Sequence, residues 1–383
     1  MASTGPYGHT GSRDSQPPLK VVLAGDFHFR YNAMLAAGED RAGARVMLLT
    51  RRHDEEFGGR AGAAAAFVAE CTPAGVRHLS LPGRVRSPRG LGAAVRAVRE
   101  VRRFGPDVVH LQESIGTDPR LVLASGARPR RFALTVHDPV RHPGERKSKS
   151  GLLGNAALTR SAGLIFVHGE ALREELEAVA RPRAPIVVVP HGVEPAAPER
   201  LPERPSVLFF GRLGHYKGVD VLLDAMAEVW ASLPEATLTI AGDGELEDHP
   251  ALRDERVTLR RGYLPDEELP ALFAAARCVV LPYRQASQSG VGSLAKRYGR
   301  PLVVSEVGGL PELVADGSGL AVAPEDPGAL ASALVGLLRD EELCARLAEA
   351  ARRSAAEGSD WGTVGAATLA AYRDHLLPSR AGS

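Results

Sequence analysis

Two basic side chains flank a short turn in the second half of the chain. The segment FFGRLGHYKGVDVLLDAM starts as an apolar run, and Arg212 and Lys217 follow it just before an amphipathic helical pattern. Cations beside the amides of a helix start attract a diphosphate, because the fixed charges and the helix dipole act at one place. The alternative interpretation is an ordinary strand-to-helix turn with solvated basic side chains.

A second anion site is predicted after the apolar run CVVLPY. Ser289, Gly290 and Val291 fall where a helix would begin, so their amides can donate to phosphate oxygens, and glycine permits close approach of the backbone. Alone, this segment indicates only an N-capped helix. Together with Arg212 and Lys217, it predicts a single pyrophosphate site.

Polar side chains also follow the predicted strands of the first half. In parallel sheets, ligands bind beyond the carboxyl ends of the strands. Candidates for contact with an acceptor or a sugar are therefore Asp26, His28, Arg30, Tyr31, Asn32, Gln112, Glu113, His137 and Asp138. The loop of Asp26 to Asn32 could equally be a capped helix start, and a lone histidine such as His137 could be structural.

Short apolar runs alternate with helical segments from Lys20 onward, which is typical of parallel α/β units covered on both faces. A proline-dense stretch, PHGVEPAAPERLPERP, interrupts the alternation and reads as a linker. We predict a tail at 1–18, a first domain at 19–190, a linker at 191–204, a second domain at 205–358, and a final segment at 359–383 whose helix crosses back to the first domain. Both domains are predicted to be Rossmann-like doubly wound parallel sheets.

The composition is that of an ordinary globular protein. The net charge is +1, with 24% charged residues, which gives no electrostatic case for nucleic acid as a partner. No apolar run approaches the roughly 20 residues of a membrane span, and we expect the amino-terminal tail not to act as a signal peptide. Seven arginines between Arg84 and Arg103 lie on a helical pattern that is either a solvated face or a peripheral membrane contact.

The ordered motifs GRLGHYKG, TIAGDGE, RGYLPDEELPALFAAARCVVLPY and YGRPLVVSEVGGLPELV resemble the carboxyl-terminal half of retaining glycosyltransferases of family GT4. That resemblance implies the GT-B architecture, in which two domains face each other across a cleft. It implies that Arg212 and Lys217 hold the donor diphosphate, that the backbone near Gly242, Gly262 and Tyr263 meets the nucleobase, and that His137 approaches the donor sugar.

The sequence departs from the GT4 pattern at two positions of the second half and in one loop of the first half. Many relatives carry glutamates where this chain has Ala286 and Leu294, so the contacts to the ribose and beside the sugar need other groups, with Gln288 a polar candidate. The glycine-rich first loop of many relatives is replaced by GDFHFRYNAM.

We therefore expect a cytoplasmic glycosyltransferase whose donor is a nucleotide diphosphate sugar and whose acceptor is a small molecule or a glycan. We expect it to need no cofactor and no metal. Protein cations would replace a divalent ion at the diphosphate. Two alternatives stay open on the sequence: a sugar nucleotide epimerase or hydrolase of similar fold, and a non-catalytic nucleotide-sugar-binding protein.

Overall fold

Two parallel sheets organise the chain. The computed structural model describes residues 17–25, 28–51, 54–73, 75–81, 88–112, 122, 125–139, 156–194, 200–357 and 360–377. Within these ranges the strands form a seven-stranded sheet in the order β3-β2-β1-β4-β5-β6-β7 and a six-stranded sheet in the order β10-β9-β8-β11-β12-β13. In both sheets the order reverses beside the first strand, which is the doubly wound topology predicted from the sequence.

The first sheet is built from nearly continuous apolar runs. Its strands are Lys20–Gly25 (β1), Arg45–Arg51 (β2), Arg77–Leu81 (β3), Val108–Gln112 (β4), Phe132–Thr135 (β5), Leu164–Val167 (β6) and Ile186–Val188 (β7). Helices Phe29–Arg41 (α1), Ala63–Cys71 (α2), Pro88–Phe104 (α3) and Glu170–Ala180 (α4) accompany them. The central strands are buried on both faces, in agreement with their apolarity.

The second sheet follows the linker. Its strands are Ser206–Phe210 (β8), Thr237–Gly242 (β9), Val257–Arg261 (β10), Cys278–Leu281 (β11), Leu302–Ser305 (β12) and Gly319–Val322 (β13). Its helices are Val219–Ser232 (α5), Leu269–Ala274 (α6), Gly290–Arg297 (α7), Leu310–Val314 (α8), Pro327–Arg339 (α9) and Glu341–Glu357 (α10). The edge strand β13 has a weak sequence signal, because GLAV is short and Val322 is its one β-branched residue.

The last helix, Trp361–His375 (α11), packs against α1 of the first domain. Asp360 caps it by accepting a hydrogen bond from the Gly362 amide at 2.8 Å. Trp361 and Tyr372 are buried in the core of the first sheet, so the end of the chain completes the domain with which the chain begins.

The carboxyl ends of the two sheets face each other. Arg30, after β1, contacts Asp266, after β10, and the Glu170 amide, after β6, donates to Glu312, after β12. The ends of β4 and β5 therefore lie opposite the ends of β8 and β11, so that Asp138 of the first domain lies near Lys217 of the second.

Candidate functional site

The turn that carries Lys217 is held by an arginine from the neighbouring strand. Arg284 donates to both carboxylate oxygens of Asp220, at 2.8 and 2.7 Å, and to the carbonyl of His215 at 2.8 Å. Gly218 has a φ of 63°, and a side chain there would overlap the carbonyl oxygen of Pro282. These contacts press the turn against the end of β11, which fixes the direction in which Lys217 leaves the backbone.

Lys217 lies over an aromatic ring at the floor of the cleft. Its ammonium nitrogen is 3.6 Å from the ring centroid of Tyr283. The pKa of Lys217 is lowered to about 7, chiefly by burial and also by the positive charge of Arg212, while the negative charge of Asp138 opposes the fall. Lys217 therefore interacts with Arg212 of its own domain and with Asp138 of the other domain, as the predicted diphosphate site requires.

The second predicted anion site adjoins the first. Ser289 caps helix α7, its hydroxyl lies 3.3 Å from that of Tyr283, and Tyr283 in turn lies beneath Lys217. A side chain at Gly211 would approach Val291 Cγ2 to 3.3 Å, so the end of β8 lies against the start of α7. The structure thus brings the Arg212–Lys217 turn and the Ser289–Val291 amides to one place.

The opposite wall of the cleft contains His137, which is buried and 3% exposed. Its Nε2 lies 3.0 Å from Oε1 of Gln112, and its ring stacks on His28 with 4.1 Å between centroids. Burial lowers the pKa of His137 well below its ordinary value, so the imidazole is neutral at pH 7.

Around Tyr31 lies an aromatic cluster that the sequence prediction did not contain. The centroid of the Tyr31 ring lies 5.0 Å from the ring centroids of His137 and His168, and 5.2 Å from those of His191 and Trp361. His168 and His191 follow β6 and β7, so the rule that ligands meet strand ends could have identified them.

His28 lies at the amino-terminal cap position of helix α1, in the loop after β1. It caps helix α1 with φ 50° and ψ 45°, the left-handed region that side chains rarely adopt. Strained backbone of this kind is concentrated at functional sites. Its stacking on His137 places His28 beside the predicted sugar site.

The predicted nucleobase turn forms part of a contact between the domains. The Gly262 amide donates to the Gly242 carbonyl at 2.9 Å, which joins the ends of β9 and β10. The Tyr263 hydroxyl accepts from Arg30 Nη2 at 3.0 Å, and Arg30 also pairs with Asp266. We name the contact of Arg30 with Tyr263 and Asp266 the interdomain clasp. Arg30, predicted to meet an acceptor, is engaged in this clasp.

Glu312 links the domains at the other end of the cleft. Its carboxylate accepts hydrogen bonds from the amides of Glu170 at 2.8 Å and Ala171 at 2.5 Å, at the start of α4. An acidic group at a helix amino terminus is stabilised by the helix dipole. Neither this link nor the clasp was found from the sequence, because each joins residues more than a hundred positions apart.

The positions of the two family glutamates contain apolar side chains that pack on the second domain. Ala286 and Leu294 both lie against its hydrophobic core, so neither supplies a polar contact to a ligand. Gln288 is half-buried at the start of the second anion site.

Several predicted positions remain to be placed. Asp26, Glu113, Arg84 and Arg86 lie outside the described residues, while Asn32 is buried in α1. The carboxyl-terminal arginines of α3, including Arg102 and Arg103, are exposed. Among the described residues, no helix is both long and apolar enough to cross a membrane, and no group of three or more His, Cys, Asp or Glu side chains could hold a metal ion.

Two family models match this chain, one in each of its two domains. Residues 29–197 match the model described as Glycosyltransferase Family 4, and residues 204–340 match Glycosyl transferases group 1. The chain belongs to glycosyltransferase family 4. This glycosyltransferase is 31% identical over 308 residues to a glycogen synthase of Mycobacterium tuberculosis, which covers 73% of each chain. It is 32% identical over 305 residues to a D-inositol 3-phosphate glycosyltransferase of Frankia alni, covering 74% of this chain and 72% of that one.

Solved structures share the architecture of the glycosyltransferase. Sucrose-phosphate synthase from Thermosynechococcus elongatus has a TM-score of 0.68 at 20% identity, over 94% of this chain and 99% of that chain. HepE of Anabaena in complex with UDP has a TM-score of 0.69 at 18% identity, over 93% and 100%. The likeness establishes the GT-B fold, with its two parallel-sheet domains, that the sequence motifs predicted.

Proposed function

We propose that this glycosyltransferase moves a sugar from a nucleotide diphosphate to a hydroxyl of an acceptor, with retention at the anomeric carbon. The observation that carries the proposal is the meeting of Lys217, Arg212 and the start of α7 at one point opposite Asp138 and His137. HepE of Anabaena, which shares the fold, has a crystal structure in complex with UDP-glucose, and this supports a nucleotide-sugar donor.

Each side chain has a role in the proposed reaction. Negative charge accumulates on the diphosphate as its bond to the anomeric carbon breaks, and Arg212, Lys217 and the amides of α7 stabilise that charge. The neutral imidazole of His137 would contact a hydroxyl of the donor sugar. The acceptor would enter from the first domain, where His28 and Asp138 lie, so the new bond forms between the two walls of the cleft.

Binding and product analysis test the proposal. A thermal-shift panel of nucleoside diphosphates should show stabilisation by one base above the others, because a ligand that binds only the folded state raises its stability. Proton NMR of the transfer product should show the anomeric configuration of the donor. Free sugar or an epimerised donor as the sole product, at every acceptor tried, would instead support the hydrolase or epimerase alternative.

Arg212→Ala and Lys217→Ala should each lower kcat/KM, because each removes a charge-assisted contact to the departing diphosphate. We expect a loss of about 2 to 4 kcal/mol of transition-state stabilisation for each variant. Arg253→Ala, which alters an exposed arginine that pairs with Asp248, is the matched control. Steady-state kinetics that equal wild type in both site variants would reject the assignment.

We further propose that the reaction needs no divalent cation, since Arg212 and Lys217 supply positive charge at the diphosphate. Activity should persist in EDTA; loss in EDTA that Mg²⁺ or Mn²⁺ restores would refute this part. A cytoplasmic enzyme of bacterial natural product or envelope assembly fits the proposal. An alpha-D-kanosaminyltransferase of Streptomyces kanamyceticus, 36% identical over 39% of this chain, is among its relatives.

A further inference from the structure

A chain of hydrogen bonds runs from His137 into the interior of the first domain. His137 Nε2 lies 3.0 Å from Gln112 Oε1, and Gln112 Nε2 lies 3.2 Å from His110 Nε2. His110 Nδ1 then lies 2.6 Å from the Tyr372 hydroxyl, which donates to Glu39 Oε1 at 2.7 Å. The chain therefore joins the wall of the cleft to helix α11 through strands β5 and β4.

The chemistry of each group gives the chain a single direction. The amide oxygen of Gln112 can only accept, so the proton of His137 is on Nε2. The amide nitrogen of Gln112 can only donate, so His110 accepts at Nε2 and carries its proton on Nδ1, toward Tyr372. The Thr135 hydroxyl, 2.7 Å from His110 Nε2, donates to the same lone pair.

Burial keeps water from replacing any member of the chain. Gln112 and His110 are each 1% exposed, and Tyr372 and Glu39 are 0% exposed. Burial lowers the pKa of His110 to about 3 and raises the pKa of Glu39 to about 8, so at pH 7 the imidazole is neutral and has two alternative tautomers. A change of hydrogen-bond partner at one end can then change the tautomer at the other.

We propose that Tyr372, on the last helix, is a positioning residue that fixes the tautomer of His137. By accepting from His110 Nδ1, it sets the orientation of the Gln112 amide, and that amide holds the proton of His137 on Nε2. His137 Nδ1 is left with a lone pair that accepts a hydrogen bond from a hydroxyl of the donor sugar. The sugar contact rests on the proposed function; the tautomer does not.

The test is Tyr372→Phe, which keeps the ring and removes the hydroxyl. His110 then turns its proton to Nε2, toward Thr135, and the Gln112 amide flips to present its oxygen to His110. Nitrogen NMR of imidazole-labelled protein should show His137 as the Nε2–H tautomer in wild type and as the Nδ1–H tautomer in the variant. Loss of one hydrogen bond to the sugar should lower kcat about tenfold. Stabilisation by a nucleoside diphosphate, which lacks the transferred sugar, should not change.

Two further variants separate positioning from a structural effect. Gln112→Glu offers acceptor oxygens to both histidines, so adding it to Tyr372→Phe should return His137 to the Nε2–H tautomer. Thr368→Val removes another buried hydroxyl from α11, which donates to the Val364 carbonyl of its own helix at 2.8 Å and has no other hydrogen-bond partner among the described residues. This control should leave both the His137 signal and kcat as in wild type.

Three results would overturn the proposal: an Nδ1–H tautomer of His137 in wild type, a folded Tyr372→Phe with wild-type signals and kcat, or the same losses in Thr368→Val. If Tyr372→Phe does not fold, the wild-type spectrum still tests the proposal, because it shows which nitrogen of His137 carries the proton. If the wild type transfers no sugar at all, the proposed function fails, while the tautomers still decide whether the hydrogen-bond chain operates.

Discussion

Lys217 is a residue whose charge depends on what fills the cleft. Its ammonium group is half-buried over Tyr283 and lies near Arg212, and its pKa is lowered to about 7. Desolvation and a neighbouring cation both disfavour the charged form, whereas a bound diphosphate would favour it. Donor binding and protonation of Lys217 are therefore linked.

We predict that the protein takes up a proton when it binds a nucleotide sugar above pH 7. Below pH 7 Lys217 is already charged in the empty cleft, so affinity should vary little with pH. Above pH 7 the lysine is neutral until the donor binds, so donor affinity should fall by up to about tenfold per pH unit. This fall should end where the pH reaches the pKa of Lys217 in the donor complex, which the bound diphosphate raises. Calorimetry in buffers of different ionisation enthalpy measures the uptake directly.

Lys217→Arg is the control for this prediction, because arginine stays charged throughout the range. Its donor affinity should be independent of pH between 7 and 9. Equal proton uptake in wild type and in Lys217→Arg would show that another group titrates.

At the scale of elements, the start of helix α7 combines an open space with a permissive backbone. A methyl group built on Gly290 meets nothing within 4 Å, and Gly290 is exposed. The space beside it is where the proposed diphosphate would lie.

Gly290→Ala should therefore weaken donor binding without weakening the fold. Alanine is the better helix former by up to about 1 kcal/mol, so the free energy of unfolding should stay equal or rise. The added methyl should raise the dissociation constant of the nucleoside diphosphate about tenfold, measured by calorimetry. Gly336→Ala provides the comparison, since Gly336 lies in helix α9 with the same open surroundings. If Gly290→Ala bound the nucleoside diphosphate as tightly as wild type does, the diphosphate site could not be at the start of α7.

The sequence predicted those elements whose pattern is local. Apolar runs such as LIFV, buried on both faces, correspond to strands, and the helical pattern from Trp361 corresponds to α11. The positions of Arg212 and Lys217 at a strand end could be predicted for the same reason. The chain of hydrogen bonds from His137 to Tyr372 could not be predicted, because it depends on which face of α11 meets β4. Contacts between side chains far apart in sequence decide that packing.

At the scale of the whole molecule, the clasp and the Glu312 link close the cleft at its two ends. Arg30 is also held from behind, since its guanidinium carbon lies 4.4 Å above the ring of Phe57. Tyr263 packs on Gly58, where an added side chain would come within 2.7 Å of its Cδ1. Together these contacts hold the predicted nucleobase turn against the first domain.

Arg30→Met and Asp266→Asn should each open the empty protein. Because the pair is partly exposed, each change should lower the free energy that favours the closed state by about 1 kcal/mol. The double variant should lower it little more than either single variant, since both remove the same contact. Small-angle scattering should show a larger radius of gyration, and added nucleotide should bring the domains back together. Arg45→Met changes an exposed arginine at the far end of β2 and should scatter as wild type does. A clasp variant with the same radius as wild type would mean that other contacts hold the cleft closed.

Helix α11 also sets an order of assembly on the ribosome. The domain that is synthesised first cannot bury Tyr31, Glu39 and the rest of its α1 surface until Trp361 and Tyr372 have emerged, whereas the second domain has all of its strands by Val322. In nascent chains of this enzyme, one apolar face of α1 therefore stays uncovered until α11 has been synthesised. The later-made half can complete its fold before the earlier one.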